Sequence, residues 1–221
     1  MQTTPAYAPS ISQQPGCAVL HEMGWDFYER FLAETENQRV THSFVDGELT
    51  IMSPIGFPHE HSKHLIARLV IALTEELEVP VIGVGSLTLK SAEKLKGAEP
   101  DDGYFLANES AMRGKRDYDP TRDPPPDLLI EIDVSRPSLN RLPVYAALGV
   151  PEVWVYDGSS ITVMRLRHEE TYEPAENSLA FPSLPMREFA AWVEKAYETD
   201  ETSWIRSFRE WVRGSVGPRD S

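Results

Sequence analysis

Three observations predict an α/β fold, a mixed sheet flanked by helices. Helical and extended patterns succeed one another along the 221 residues, with no internal repeat or low-complexity block. Two alternating runs are each interrupted by Asp-Gly, at Asp46-Gly47 and Asp157-Gly158, a dipeptide that closes tight hairpins because it tolerates positive φ. The stretch Leu128–Val134 is the most hydrophobic in the chain and reads as a buried strand.

Each element follows from its residues. Residues 1–23 are rich in Pro, Ser, Gln and Thr, which predicts a flexible tail. Residues 25–36 read as a helix, with Phe27, Tyr28, Phe31 and Leu32 on one side. Residues 39–45 and 48–52 flank Asp46-Gly47 as a hairpin. A long amphipathic helix over about 60–78 buries Leu65, Ile66, Leu69, Val70, Leu73 and Leu77, and Pro80 ends it. Ser53-Pro54-Ile55-Gly56 is a turn leading into it. Short strands follow over 81–84 and 86–90, then an extended segment over 101–106 and a polar, partly helical and basic stretch over 108–123. After Leu128–Val134, residues 139–148 form a helix with Ser138 as N-cap and Gly149 as terminator, its regular part kinked or delayed by Pro143. Residues 153–156 and 161–166 make the second hairpin. Two helices over 185–197 and 201–213 close the chain, carrying the stripes Phe189, Trp192, Val193, Ala196 and Trp204, Ile205, Phe208, Trp211, Val212. Residues 24–170 read as the main domain, and 171–221 as a helical extension packed on it.

Composition narrows the function classes. No apolar run approaches the ~20 residues that span a bilayer, and no signal-peptide pattern opens the chain, so a cytoplasmic protein is expected. Cys17 stands alone, which excludes an internal disulfide and a cysteine-based zinc cluster. A net charge of −14 argues against broad, non-specific affinity for nucleic acid, though not against a local basic surface. Arg113, Lys115, Arg116 and Arg122 form the densest basic stretch, and Arg136 and Arg141 follow the apolar strand.

The chemistry lies in the carboxylates. Alternation along Leu128–Val134 puts Leu128, Ile130, Ile132 and Val134 on one face and Leu129, Glu131 and Asp133 on the other. Two charges at the end of a buried strand call for a cation, a basic partner or water at a cleft, unless they emerge into solvent at the sheet edge. Two Pro-Asp pairs offer a partner. Asp127 is four residues before Glu131, roughly 13 Å away at ~3.3 Å per residue, too far to share one ion. Asp101 lies thirty residues before Glu131, ample chain to return on a neighbouring strand, and is the better candidate; Glu99 stands beside it.

These residues carry a resemblance. Pro100-Asp101, then Glu131-Ile132-Asp133 on an apolar strand, then Tyr145-Ala146-Ala147-Leu148-Gly149-Val150-Pro151-Glu152-Val153-Trp154 resembles the PD-(D/E)xK restriction-endonuclease-like superfamily. More narrowly it is similar to the bacterial "putative restriction endonuclease" family within it. The Asp46-Gly47-Glu48-Leu49 hairpin leading to Met52-Ser53-Pro54 also fits, and the likeness covers about residues 25–170. The resemblance implies a restriction-endonuclease-like fold and Mg²⁺-dependent (or Mn²⁺-dependent) hydrolysis of DNA, with Asp101 and Glu131 binding the metal. A further metal-site Glu on the preceding helix best matches Glu60, whose place also suits the helix dipole. Asp133 stands where the motif ordinarily has Lys. The family's alternative place for that Lys, four residues before the Tyr, is held here by Arg141, which can stabilise phosphate charge but is a poor proton acceptor. A salt bridge from Arg141 to Glu131 or Asp133 is the structural alternative.

His59, Glu60, His61 and His64 invite a zinc reading. Lys63 occupies the place where a metalloprotease helix would need its second His, which leaves His61 and His64 as a two-ligand pair or His59 or His61 beside the acidic cleft. Three functions are therefore in play: a homodimeric DNA endonuclease, a non-catalytic module that keeps the fold, and a hydrolase of small phosphodiesters.

Overall fold

The computed structural model describes residues 11–14, 17–36, 40–52, 56–134, 141–168 and 171–216. The expectations for Ser53, Pro54, Ile55, Arg136 and the Ser138 cap fall outside these residues. The first half of the chain supplies β1 (Ile11–Gln14), β2 (Cys17–Leu20), α1 (Trp25–Thr35), β3 (His42–Val45), β4 (Glu48–Met52) and α2 (Phe57–Glu76). Short elements follow: β5 (Ile82–Gly83), β6 (Leu89–Ser91), β7 (Lys96–Ala98), β8 (Asp102–Phe105) and α3 (Glu109–Met112). The second half gives β9 (Leu128–Ile132), α4 (Leu142–Ala147), β10 (Glu152–Tyr156), β11 (Ile161–Leu166), β12 (Tyr172–Ala175), α5 (Met186–Lys195) and α6 (Glu201–Ser215).

The strands form two six-stranded sheets, ordered β1-β2-β4-β3-β7-β6 and β12-β11-β10-β9-β8-β5. In the second sheet β9 and β10 run parallel, joined across α4, while the other pairings are antiparallel. This is the mixed α/β architecture that the sequence predicts. Asp46 and Gly47 have φ of 47° and 89°, so the first hairpin takes the turn with positive φ at both central residues.

The alternation along β9 sorts its two faces. Leu128, Ile130 and Ile132 join α2, α5 and α6 in the main core, with Leu65, Leu69, Trp154, Phe189, Trp204 and Phe208. Leu129 faces the other way, into a second cluster with Val144 and Tyr145 of α4 and Leu89 and Ala98 of the first sheet. The two C-terminal helices belong to the main core, and each buried Phe or Val side chain on them contributes about 1.5–3 kcal/mol. Asp200 starts α6 by accepting 3.0 Å hydrogen bonds from Thr202 N and Ser203 N.

Several boundaries differ from the sequence expectation. The tail expected over 1–23 is corrected from residue 11 onward. β2 pairs with β4 and buries Val19 there, because the short apolar run Cys17–Leu20 within the polar tail finds an open strand edge and an apolar surface to pack on. α2 begins at Phe57, three residues early, with Pro58 in its first turn, where a missing N–H costs nothing. α4 spans Leu142–Ala147 within the expected 139–148, of which residues 139 and 140 fall outside the described residues. Pro143 again falls in its first turn, so the proline delays the helix rather than kinking it. β7 and β12 have no counterpart in the sequence expectation. β12 is an edge strand, a place that tolerates its Pro174.

Candidate functional site

The antiparallel register of β8 and β9 sets Asp102 opposite Ile130, so the next position outward brings Asp101 opposite Glu131. Asp101 Oδ2 accepts a 2.7 Å hydrogen bond from the Ile132 N–H, which locks the two strand ends together. The same oxygen lies 3.2 Å from His59 Nε2 on α2. Glu131 lies on the Leu129 side of β9, where α4 covers it. Its Oε2 accepts from Arg141 Nη1 at 2.6 Å, and its Oε1 accepts from the Tyr145 hydroxyl. Arg141 and Tyr145 sit four residues apart at the start of α4, hence on one helix face.

Burial makes this cluster electrostatically tense. Glu131 is 3% exposed and Arg141 5%. Burial pushes the Glu131 carboxyl up to about 7, helped by the charge of Asp101 and opposed by Arg141 and Tyr145. Burial also pulls on Arg141, but the charge of Glu131 outweighs it and holds the guanidinium protonated. Burial favours neutral Asp101 as well, yet the hydrogen bond and charge of His59, with Arg141 and the Ile132 N–H, keep it below the usual carboxylate range. Among the described residues Arg141 Nε has no hydrogen-bond partner, and Nη2 reaches Met52 Sδ at 3.6 Å.

Asp101, Glu131 and Arg141 are thus brought together. Asp133 lies just past β9, half-buried, its N–H bonded to Tyr156 O at 2.6 Å. Glu60 is not drawn into the cluster. Its side chain is 51% exposed and meets His59 Nδ1 at 3.6 Å, because the next helical position turns it outward. Asp127 is structural. It accepts from Leu106 N, Asn108 N and Asn108 Nδ2 at 2.7–2.9 Å and pins the connection after β8. Glu99 accepts from Thr88 Oγ1 at 2.6 Å. The alternative in which Glu131 emerges into solvent is overturned, since α4 covers that face of the sheet.

The remaining histidines and most of the basic stretch are engaged elsewhere. His61 Nε2 and His64 Nε2 lie 3.5 and 3.0 Å from Glu201, so they fasten α2 to α6. Arg113 pairs with Glu109, Lys115 with Asp123 and Arg122 with Asp119. A groove of about 900 Å³ opens at the C-terminal end of α4, between Trp25, Lys90, Lys94, Ala147 and Arg167, and contains neither Asp101 nor Glu131.

Sequence reasoning places His59 or His61 beside the acidic cleft, in contact with substrate phosphate, without choosing between them. The signal for His59 is the buried stripe His59, Ser62, Ile66, Leu69, Leu73, which places it on the inward face of α2. Asp102, buried beneath the site, escapes a reading of the sequence alone. It accepts from Gly103 N at 2.9 Å and from the Tyr104 hydroxyl, while burial raises its carboxyl.

Among the described residues no group of three or more His, Cys, Asp and Glu side chains is arranged to hold a metal ion. Two carboxylates from adjacent strands, close enough for the charge of Asp101 to act on Glu131, nonetheless fit Mg²⁺, which binds one or two carboxylates and leaves its other positions to water and substrate phosphate. No helix among the described residues is long and apolar enough to cross a membrane.

A mixed sheet with a buried acid pair and a guanidinium at its strand ends defines the class, and comparison with known proteins defines the family. Residues 25–194 match the model of the Uma2 family, described as "Putative restriction endonuclease", and the chain belongs to that family. A crystal structure from Anabaena variabilis ATCC 29413, described as "a putative nuclease belonging to DUF820", is similar at 16% identity, covering 79% of this chain and 98% of that one with a TM-score of 0.45. No curated protein matches.

Proposed function

We propose that the chain is a divalent-metal-dependent DNA endonuclease that hydrolyses phosphodiester bonds at the Asp101–Glu131 pair. One observation carries this reading: Asp101 and Glu131, thirty residues apart, meet at the ends of neighbouring strands. Asp101 and Glu131 would hold Mg²⁺ (or Mn²⁺), whose charge polarises the scissile phosphate and lowers the pKa of a bound water. His59 and the Ile132 N–H fix the Asp101 carboxylate, so little reorganisation is needed to use it. Arg141 supplies positive charge for a phosphate oxygen. It cannot take the proton of the attacking water, because a guanidinium stays protonated. Cutting both strands of a duplex is most simply done by a homodimer.

Incubation of supercoiled plasmid with Mg²⁺ tests the reading. Nicking that EDTA stops, and that Asp101→Ala and Glu131→Ala abolish, is the expected result. Full activity in either variant overturns the assignment.

A second reading draws on the contacts of Glu131. Both of its oxygens are taken by Arg141 and Tyr145, so the guanidinium stands where it competes with a cation. On this reading the chain is a nuclease fold serving as a binding module. Absence of both cleavage and divalent-ion binding would favour it.

A further inference from the structure

We infer that Lys63 is a substrate-binding residue of this same site, an ammonium that docks a phosphate of the nucleic-acid backbone beside Asp101; this rests on the nuclease reading above. Lys63 follows His59 by four residues on α2, so it shares the helix side that presents His59 to Asp101. Lys63 Nζ donates to Ser86 Oγ at 3.0 Å, and that hydroxyl donates to the Asp101 carbonyl at 3.2 Å. One serine therefore separates the ammonium from the backbone of the residue proposed to bind the metal. Its charge also reaches the buried Asp102 carboxylate.

The chain is acidic, and near the site its described arginines already stand in ion pairs. Arg141 pairs with Glu131, and Arg68 with Glu201. Lys63 is half-buried, and no carboxylate oxygen lies within 4.0 Å of Nζ among the described residues. An ammonium has three donors, and Ser86 uses one. The other two are available to a phosphate, in a place where partial burial weakens solvent screening. A chain of net charge −14 repels DNA as a whole, which gives a cation outside any ion pair beside the acid pair added weight.

Binding of a labelled DNA duplex, measured by fluorescence anisotropy in EDTA over a series of salt concentrations, separates this inference from cleavage. Removing one phosphate contact lowers the slope of log K against log salt by about 0.9 and weakens binding alike on unrelated sequences. Lys63→Gln is expected to show that loss, and Lys63→Arg to restore it. An unchanged slope in Lys63→Gln, with the parent binding normally, overturns this inference alone. So does a Lys63→Arg variant that folds as the parent does yet behaves like Lys63→Gln. No DNA binding by the parent chain in EDTA overturns this inference alone, whereas the nuclease reading fails only on the plasmid assay.

Discussion

Glu131→Gln is predicted to make the protein more stable at pH 8, although it removes one half of a buried ion pair. The glutamate carboxyl stands at about 7 in the folded chain, against an ordinary value of 4.5. A carboxyl raised on folding contributes stability that is fully present below 4.5 and lost as pH rises through about 7. At about 1.4 kcal/mol per pH unit, that interval amounts to about 3 kcal/mol. A neutral glutamine escapes the loss and keeps the hydrogen bonds: its carbonyl accepts from Arg141, and its amide donates to the Tyr145 hydroxyl. Guanidinium chloride denaturation at pH 8 and pH 5 reads the difference. The variant should exceed the parent by about 3 kcal/mol at pH 8, with the gap nearly closed at pH 5. A loss of about 3–5 kcal/mol at pH 8, the usual cost of breaking a buried pair, would refute the reasoning. It would show that the guanidinium, not burial, governs Glu131. A residue held at a cost to stability is what a functional carboxylate looks like.

Three other outcomes follow from the same geometry. Because a metal ligand must be deprotonated, divalent-ion affinity should rise up to tenfold per pH unit up to about pH 7 and level off above it, as calorimetric titration at pH 6, 7 and 8 would show. Gly97→Ala should cost about 1–3 kcal/mol in thermal or chemical unfolding, since the new Cβ would sit 2.3 Å from the Tyr28 hydroxyl, which is buried and bonded to His42 Nε2 at 3.0 Å. Asp127→Ala should lose about 1–3 kcal/mol by leaving the Leu106 and Asn108 N–H groups without their acceptor, and should leave divalent-ion affinity unchanged.

The acid pair is legible in the sequence because strand alternation is strict. A Glu between Ile130 and Ile132 has to face away from them, and one more strand beside it is enough to bring Asp101 close. The hairpins are legible for a similar reason, since Asp46-Gly47 encodes its backbone conformation locally. Elements defined by a distant partner are not. Cys17–Leu20 looks like tail until β4 is beside it, and Lys96–Ala98 has no strand composition of its own but is held between β3 and β6. At the site, sequence reasoning selects Glu60 as the acid on the helix, whereas His59, one residue earlier, makes the contact with Asp101. Helical phase decides between the two, and the stripe from His59 to Leu73 sets it. Lys63 reads in sequence as the residue that spoils a zinc motif, because its link to Asp101 runs through Ser86, twenty-three residues away in the chain.

The claim that Asp101 and Glu131 jointly hold a catalytic divalent ion is tested most directly by titrating Mn²⁺ into the parent chain and into Asp101→Asn at pH 8. One saturable site in the parent, lost in Asp101→Asn and kept in Lys63→Gln, is the predicted result. No binding by the parent, or equal binding by Asp101→Asn, would contradict it.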